Sequence, residues 1–364
     1  MNHETVEKAR RHGWMKAVLL ALLAVLVLGT GAVLVPRDAG SLQAAPSSEI
    51  ARAEALSSAE ALLGSASLLE GTTPGGAPAG EASGGNGISD TVMLLTRQAQ
   101  ALLPSSTPES NTPAASPSPG ATQDRPTRAG FVSALSSSAS RRLADAVNAD
   151  GGMARLLAAV GTAQLLESTR LAATWGLPAP ATPASESTAP TPPPSCPAST
   201  GTSTAAPTSG TAPAKADLPA ALAAVVSSEQ ESIYAYQVAL TKLDAKASAT
   251  AATWLGRHQE LLRGAEAQGR LHCIATPPLE AGYRLPASFA AKPALALGSM
   301  ESSSLTAYAD LVALSEGQTR QWAIDGLVDA AKRSQAWGAP VGPFAGLAID
   351  NAALPPLPSP APSR

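Results

Sequence analysis

One stretch of this chain is repeated, and the repeat restricts its fold more than any other feature. SSEQESIYAY, at residues 227–236, aligns with SMESSSLTAY, at residues 299–308. A glutamate and a tyrosine recur at matching places: Glu229 with Tyr236, and Glu301 with Tyr308. Around each copy, apolar residues alternate at steps of three and four, which is the spacing of one helix face. The repeat therefore predicts two related helical hairpins.

The region from 217 to 340 contains four predicted helices. They cover about residues 217–245, 249–268, 289–315 and 318–337. The first and last connections are short, as antiparallel neighbours require, whereas the middle one, LHCIATPPLEAGYRLPAS, is long and broken by proline. A connection of this length could span roughly 60 Å, and a typical helix here is only about 30 Å long. The sequence thus predicts an all-α four-helix bundle made of two antiparallel hairpins with one long crossover.

The composition favours helices joined by linkers. Aromatic residues make up 3% of the chain, so the core must consist mainly of alanine, leucine and valine, which suits closely packed helices. Runs rich in proline and glycine are too poor in large apolar residues to fold. The net charge of −3 gives no bulk attraction to nucleic acid.

Apolar periodicity and runs rich in proline, glycine, serine and threonine also divide the rest of the chain. The predicted order is a basic cytoplasmic lead (1–16), an apolar segment (17–35), a largely disordered stretch with short helices (36–126), a helical hairpin (127–176), a Pro/Ser/Thr-rich linker (177–216), the bundle (217–340) and a disordered tail (341–364). Upstream of the bundle, helices are expected at 50–69, 88–103, 128–148 and 152–174.

The apolar segment 17–35, AVLLALLAVLVLGTGAVLV, is uncharged and about long enough to cross a bilayer as a helix. Basic residues precede it, so the positive-inside rule places the amino terminus in the cytoplasm and everything after the segment outside. The alternative is a cleaved signal peptide with a small-residue site at 30–32. The chain is therefore expected to be a single-pass membrane protein with its bulk outside the cytoplasm. Its expected partners are the membrane and either a cell-envelope protein or a second copy of the chain.

The paired Glu229/Tyr236 and Glu301/Tyr308 resemble the ferritin-like superfamily, most closely a bacterial ferritin-like family of unassigned function that is often membrane-tethered. The resemblance covers residues 217–340 and implies a ferritin-like four-helix bundle. In metal-binding members, the first and third helices each supply a glutamate, and the second and fourth each supply Glu-x-x-His. Here His258 supplies one imidazole, but no glutamate stands three positions before it, and the fourth helix has no histidine.

Three interpretations of the two glutamates remain open. Tyr236, Tyr308 and His258 could satisfy Glu229 and Glu301 in a purely structural polar core network, because buried carboxylates need partners. Alternatively, Glu229, His258 and Glu301 form a reduced site for iron or another transition metal. The third interpretation is that one or both glutamates face solvent. On the fourth helix, the charged residues have the spacing of surface ion pairs: Asp325, Asp329, Lys332 and Arg333.

Cys196 and Cys273 are the only cysteines, and both lie beyond the apolar segment, where an exported chain can oxidise. The first helix of the bundle begins near 217 and the second ends near 268, so Cys273 should emerge at the end where the first begins. Cys196 lies about twenty residues before that end, within easy reach. This predicts an intramolecular disulfide; the alternative is two free thiols or an intermolecular bridge.

No P-loop, GxSxG, HExxH or paired CxxC motif occurs, so an enzyme is not expected. The predicted function is a membrane-anchored, extracytoplasmic ferritin-like bundle that acts without a cofactor as a non-catalytic structural or binding module at the cell envelope. The alternative is a metal-binding redox or metal-handling protein.

Overall fold

The computed structural model of the chain describes residues 46–70, 86–104, 125–181, 196 and 216–358. These residues form eight helices and no strand: α1 Ser47–Glu70, α2 Asn86–Leu102, α3 Arg128–Asn148, α4 Gly151–Thr174, α5 Leu218–Leu240, α6 Ala245–Leu271, α7 Pro293–Leu314 and α8 Gly317–Ala336. The all-α class predicted from the sequence is confirmed for this part of the chain.

Local capping explains where several helices begin. Asp150, Asp217 and Asp244 each precede a helix, and each side chain accepts a hydrogen bond from the backbone N–H three residues later. The cap at Asp244 also corrects a boundary. The first helix of the bundle was expected to reach 245, but it ends at Leu240 because Asp244 already starts the next one.

Helices α5 to α8 pack as two hairpins, α5 with α6 and α7 with α8, and the hairpins meet mainly through α5 and α7. Two glycines lie where helices of the bundle contact one another. At Gly326 on α8, an added Cβ would collide with the ring of Tyr308 on α7. At Gly264 on α6, it would come within 2.8 Å of the Trp322 indole. Glycine at these positions lets the helices approach closely enough to enclose large side chains.

The upstream helices belong to the same packed unit. Helices α3 and α4 form the predicted hairpin, α1 contacts both of them as well as α2, and α4 packs against α7. Buried side chains of α4, such as Leu157, share one apolar cluster with Val312 of α7. Polar contacts reinforce the junction, since Arg320 of α8 donates to the carbonyls of Val147 and Ala149. Helices α1 and α2 lie in the 36–126 stretch, close to the helices expected at 50–69 and 88–103.

Residues 341–349 differ from the disordered tail predicted from 341 onward. Phe344 is 6% exposed and packs against Ala159 and Val160 of α4. The carbonyl of Pro343 accepts a hydrogen bond of 2.9 Å from the Gln98 side chain. The segment is ordered because its one aromatic side chain fills a gap between distant helices, which its local composition does not reveal.

The membrane expectation needs correction. Among the residues that the structure describes, no helix combines the length and the apolar character needed to span a bilayer. This finding contradicts the single-pass localisation predicted from the sequence. The apolar segment 17–35, on which that prediction was based, lies outside the described residues, as does most of the predicted linker 177–216.

Candidate functional site: a buried polar network

The polar residues predicted for the core meet inside the α5–α8 bundle. Glu229 and Tyr236 lie on α5, His258 lies on α6, and Glu301 and Tyr308 lie on α7. Each of them is at most 1% exposed. The inward stripes of α5 and α7 carry the acids and phenols, so the helical periodicity that builds the core also places these groups inside it.

The two tyrosines cross between the helices. Tyr236 of α5 donates its phenolic hydrogen to Oε1 of Glu301 on α7, at 2.6 Å. Tyr308 of α7 donates to Oε1 of Glu229 on α5, at 2.7 Å. These crossed bonds require α5 and α7 to run in opposite directions, and they relate the two helices by an approximate two-fold axis. The repeat in the sequence is therefore also the symmetry of the site.

His258 bridges the two carboxylates. Its Nδ1 lies 2.7 Å from Oε2 of Glu229, and its Nε2 lies 2.8 Å from Oε1 of Glu301. An imidazole with an acceptor at each nitrogen is satisfied at both only when it carries both protons. Burial lowers the pKa of His258, but the hydrogen bonds to both glutamates outweigh burial, and the net shift is upward. The imidazolium form is the one that fits this position.

Arg333 of α8 completes the network, and the sequence-based prediction of a surface ion pair for this residue is wrong. Its side chain is fully buried, and its Nε donates to Oε2 of Glu301 at 2.8 Å. Arg333 lies on an inward stripe with Gly326 and Ala330, a spacing of four and three that the sequence does show. Asp329 does form an ion pair near the surface, with Arg257 of α6.

The charges of the network shift its ionisation. Burial raises the pKa of Glu301, but the hydrogen bond from His258 and the charge of Arg333 outweigh it and lower the pKa overall. Burial lowers the pKa of Arg333, and the Glu301 and Glu229 charges reverse that effect and raise it. Both tyrosines have a raised pKa, first through burial and then through the neighbouring carboxylate. They therefore stay protonated and act as donors.

Trp337, which follows the last residue of α8, extends the network toward the surface. Its indole Nε1 donates to the hydroxyl of Tyr236 at 2.7 Å, and its side chain is only partly buried. The hydroxyl of Tyr236 thus accepts one hydrogen bond and donates another. The sequence gives no sign of this bond, because nothing local links an indole to a tyrosine a hundred residues away.

The network is neutral as a whole, and all its charged groups are buried. Two carboxylates face one imidazolium and one guanidinium, so two negative charges meet two positive charges. Buried charges are tolerated when they are paired in this way and hydrogen-bonded. One imperfection remains: the two Nη groups of Arg333 are buried and have no hydrogen-bond partner among the described residues.

The donor set does not fit a transition metal. Glu229, His258 and Glu301, the predicted metal ligands, do come together, but they bind one another. A histidine ligand must offer a nitrogen lone pair, and both nitrogens of His258 face carboxylate oxygens instead. In the described part of the chain, no group of three or more His, Cys, Asp or Glu side chains is arranged to hold a metal ion.

The cysteines lie at the end of α6, away from the network. The Sγ atoms of Cys196 and Cys273 are 2.10 Å apart and the Cα atoms are 5.5 Å apart, so the two form a disulfide-capable pair, as the sequence predicted. Cys273 follows the helix terminus in a left-handed conformation, with φ 55°. The neighbouring His272 holds this end of α6 to α8 through a 2.7 Å contact with Thr319.

Comparison with known proteins gives one match. A family model described as a domain of unknown function (DUF4439) matches residues 221–350. This range contains the whole polar network and all of α5 to α8 except the first three residues of α5. No curated protein and no solved structure matches the chain. The match is to a domain of unknown function; it assigns no activity and does not show the ferritin-like family that the sequence resembles.

Proposed function

We propose that this chain is a non-catalytic structural module of ferritin-like architecture, in which a metal-free polar network fixes how two helical hairpins pair. The observation that carries the proposal is the closed network of crossed tyrosine–glutamate bonds around His258 and Arg333. It joins all four helices of the bundle, and every charge in it has an opposite charge beside it.

The architecture supports the ferritin-like part of the proposal. The connections α5–α6 and α7–α8 are short, and α6–α7 is long, as in bundles with one crossover. The first and third helices each carry an inward glutamate, and the second carries an inward histidine, as in metal-binding members of that superfamily. The departure is Arg333 on the fourth helix, where those members carry a metal ligand.

The crossed bonds support a role in specifying structure. If α5 slid against α7 by one turn, Glu229 and Glu301 would lose the tyrosine and histidine donors that now face them. Stranding a buried charge costs about 3–5 kcal/mol. A buried polar group of this kind can select one register even where it adds little net stability.

Burial supports the absence of catalysis. The network residues are at most 1% exposed apart from Trp337, so a substrate would have no route to the acids, the imidazole or the phenols. General acid–base chemistry needs such groups within hydrogen-bond reach of the reacting atom. Their hydrogen bonds are instead used up within the bundle.

Metal analysis of the full chain tests the proposal against the metal-handling alternative. The protein would be produced in medium supplemented with iron, zinc and manganese, and its metal content would be measured by mass spectrometry. We expect well below one metal per chain, and no change in the thermal midpoint on adding EDTA. One tightly held transition metal per chain, with a lower midpoint after chelation, would reject the structural role in favour of metal handling.

A further inference from the structure

We infer that His258 and Arg333 take the place of a divalent metal ion in this bundle, and that Arg333 keeps a latent single-metal site closed. Replacing Arg333 by histidine should open that site to Zn²⁺ or Co²⁺. The inference rests on the proposed function, because it presupposes a ferritin-like bundle that is metal-free in its natural form.

The charged groups of the network come from all four helices. Each helix of the bundle contributes one: Glu229 from α5, His258 from α6, Glu301 from α7 and Arg333 from α8. Metal centres in helical bundles are built from inward side chains on facing helices in the same way. Here the fourth helix contributes a cation where a ligand would be required.

The two positive charges of the network equal the charge of a divalent metal ion. Two buried carboxylates need two positive charges close by, because an uncompensated buried charge is costly. A divalent ion would supply both. The imidazolium of His258 and the guanidinium of Arg333 supply the same total, so the network and a metal ion are alternatives. A metal cannot enter while Arg333 remains, since the ion would lie a few ångströms from a permanent positive charge.

Arg333 is poorly hydrogen-bonded. Only its Nε is used, while both Nη groups are buried without a partner among the described residues. The hydrogen bonds of Arg333 therefore do not explain why a buried guanidinium is tolerated here. Its positive charge beside the two carboxylates explains it.

A histidine side chain at position 333 would extend about as far as the present arginine does up to its Nε. The Nε of arginine and the Nε2 of histidine are separated from Cα by the same number of bonds. An imidazole at position 333 would therefore bring a ring nitrogen close to the place where Arg333 Nε now contacts Glu301. His258 Nε2 and Glu301 Oε1 are 2.8 Å apart. Two ligands of a tetrahedral zinc ion lie about 3.3 Å apart, so a separation of about 0.5 Å would make room for the ion between them.

The remaining glutamate would support the site from outside. His258 Nδ1 faces Glu229 at 2.7 Å, so the Nδ1–H can stay on that carboxylate while Nε2 becomes a ligand. A histidine ligand whose other nitrogen donates to a carboxylate is the usual outer arrangement of zinc sites. Glu301, His258 and the introduced imidazole would then form the inner ligand set.

The test is a Co²⁺ titration of the full-length protein, followed by the visible ligand-field absorption. We expect R333H to bind about one equivalent at least about 100-fold more tightly than the natural chain, because a permanent positive charge beside the site has been removed. R333K keeps that charge and is the matched control, which should bind no better than the natural chain. R333H combined with H258Q should lose the gain.

The outcomes separate the two proposals. Tight Co²⁺ binding by the natural chain would reject the metal-free structural role itself. A folded R333H that binds no better than the natural chain would overturn the inference and leave that role intact. If R333H is unfolded without metal, Zn²⁺ should restore its helical circular dichroism, because site formation and folding are then coupled. Failure of Zn²⁺ to restore the helices would also overturn the inference.

Discussion

Removing Arg333 should destabilise the chain strongly, because its charge balances the buried carboxylates. In Arg333→Met, Glu301 Oε2 loses the donor at 2.8 Å, while Oε1 keeps Tyr236 and His258. Breaking a buried ion pair from one side costs about 3–5 kcal/mol. The two unpartnered Nη groups disappear as well, which recovers part of the penalty of a buried unsatisfied donor. We therefore expect a loss near the lower end, about 3 kcal/mol.

Urea denaturation of the full chain, followed by far-UV circular dichroism, measures this loss. At a slope of about 3 kcal/mol per molar urea, the midpoint should fall by about 1 M. Arg257→Met is the matched control, because Arg257 also pairs with a carboxylate on another helix but its side chain is 39% exposed. A pair at the surface contributes at most about 1 kcal/mol.

If Arg333→Met lowered the unfolding free energy by no more than Arg257→Met does, Arg333 could not be the internal counter-ion of the network. A gain in stability would mean that desolvation of the guanidinium outweighs its attraction to Glu301, and the network would then lower the stability of the fold.

Three further predictions concern other features. Folding raises the pKa of His258. Its stabilising contribution is therefore complete below about pH 6.5 and is lost as the pH rises through the folded pKa. The unfolding free energy of the natural chain should decline over that pH range, and that of His258→Gln should decline less. Gly326→Ala should cost about 1–3 kcal/mol of unfolding free energy by denaturation, since the added Cβ meets a tyrosine ring. At Gly256 an added Cβ meets nothing, so Gly256→Ala should stabilise the chain by about 0.5–1 kcal/mol. Equal effects of the two substitutions would contradict the packing argument. Peptide mapping of the unreduced protein should recover Cys196 linked to Cys273, and reduction should cost up to about 4 kcal/mol; two alkylatable thiols would rule the bridge out.

Most of the helices could be predicted from the sequence because their signals are local. The apolar spacing of α5 to α8 is visible without any tertiary information. The cap at Asp244 is a local signal as well, but it was overlooked, and the second helix of the bundle was placed four residues too late. The repeat also identified the acids and phenols of the network, since Glu229 and Glu301 occupy inward positions that an aliphatic residue would otherwise fill.

The rest of the site depends on contacts between distant residues. Arg333 stands next to Lys332 and near Asp329, and such a charged stretch is typical of a solvated face. It is buried because two carboxylates from other helices make that position favourable for a cation. Phe344 illustrates the same limit, since a single aromatic residue among prolines and glycines gives no local sign of burial.

The packing of α4 against α7 has a consequence for how this chain can be divided. The family match begins at residue 221, but Leu311 and Val312 of α7 share a buried cluster with Leu157 and Leu165 of α4. A fragment cut at the family boundary would leave that side of α7 bare, and exposed apolar patches promote association between molecules. The family match is thus shorter than the part of the chain that covers its own apolar surface. Any transfer of this bundle into a new protein should carry the preceding hairpin with it.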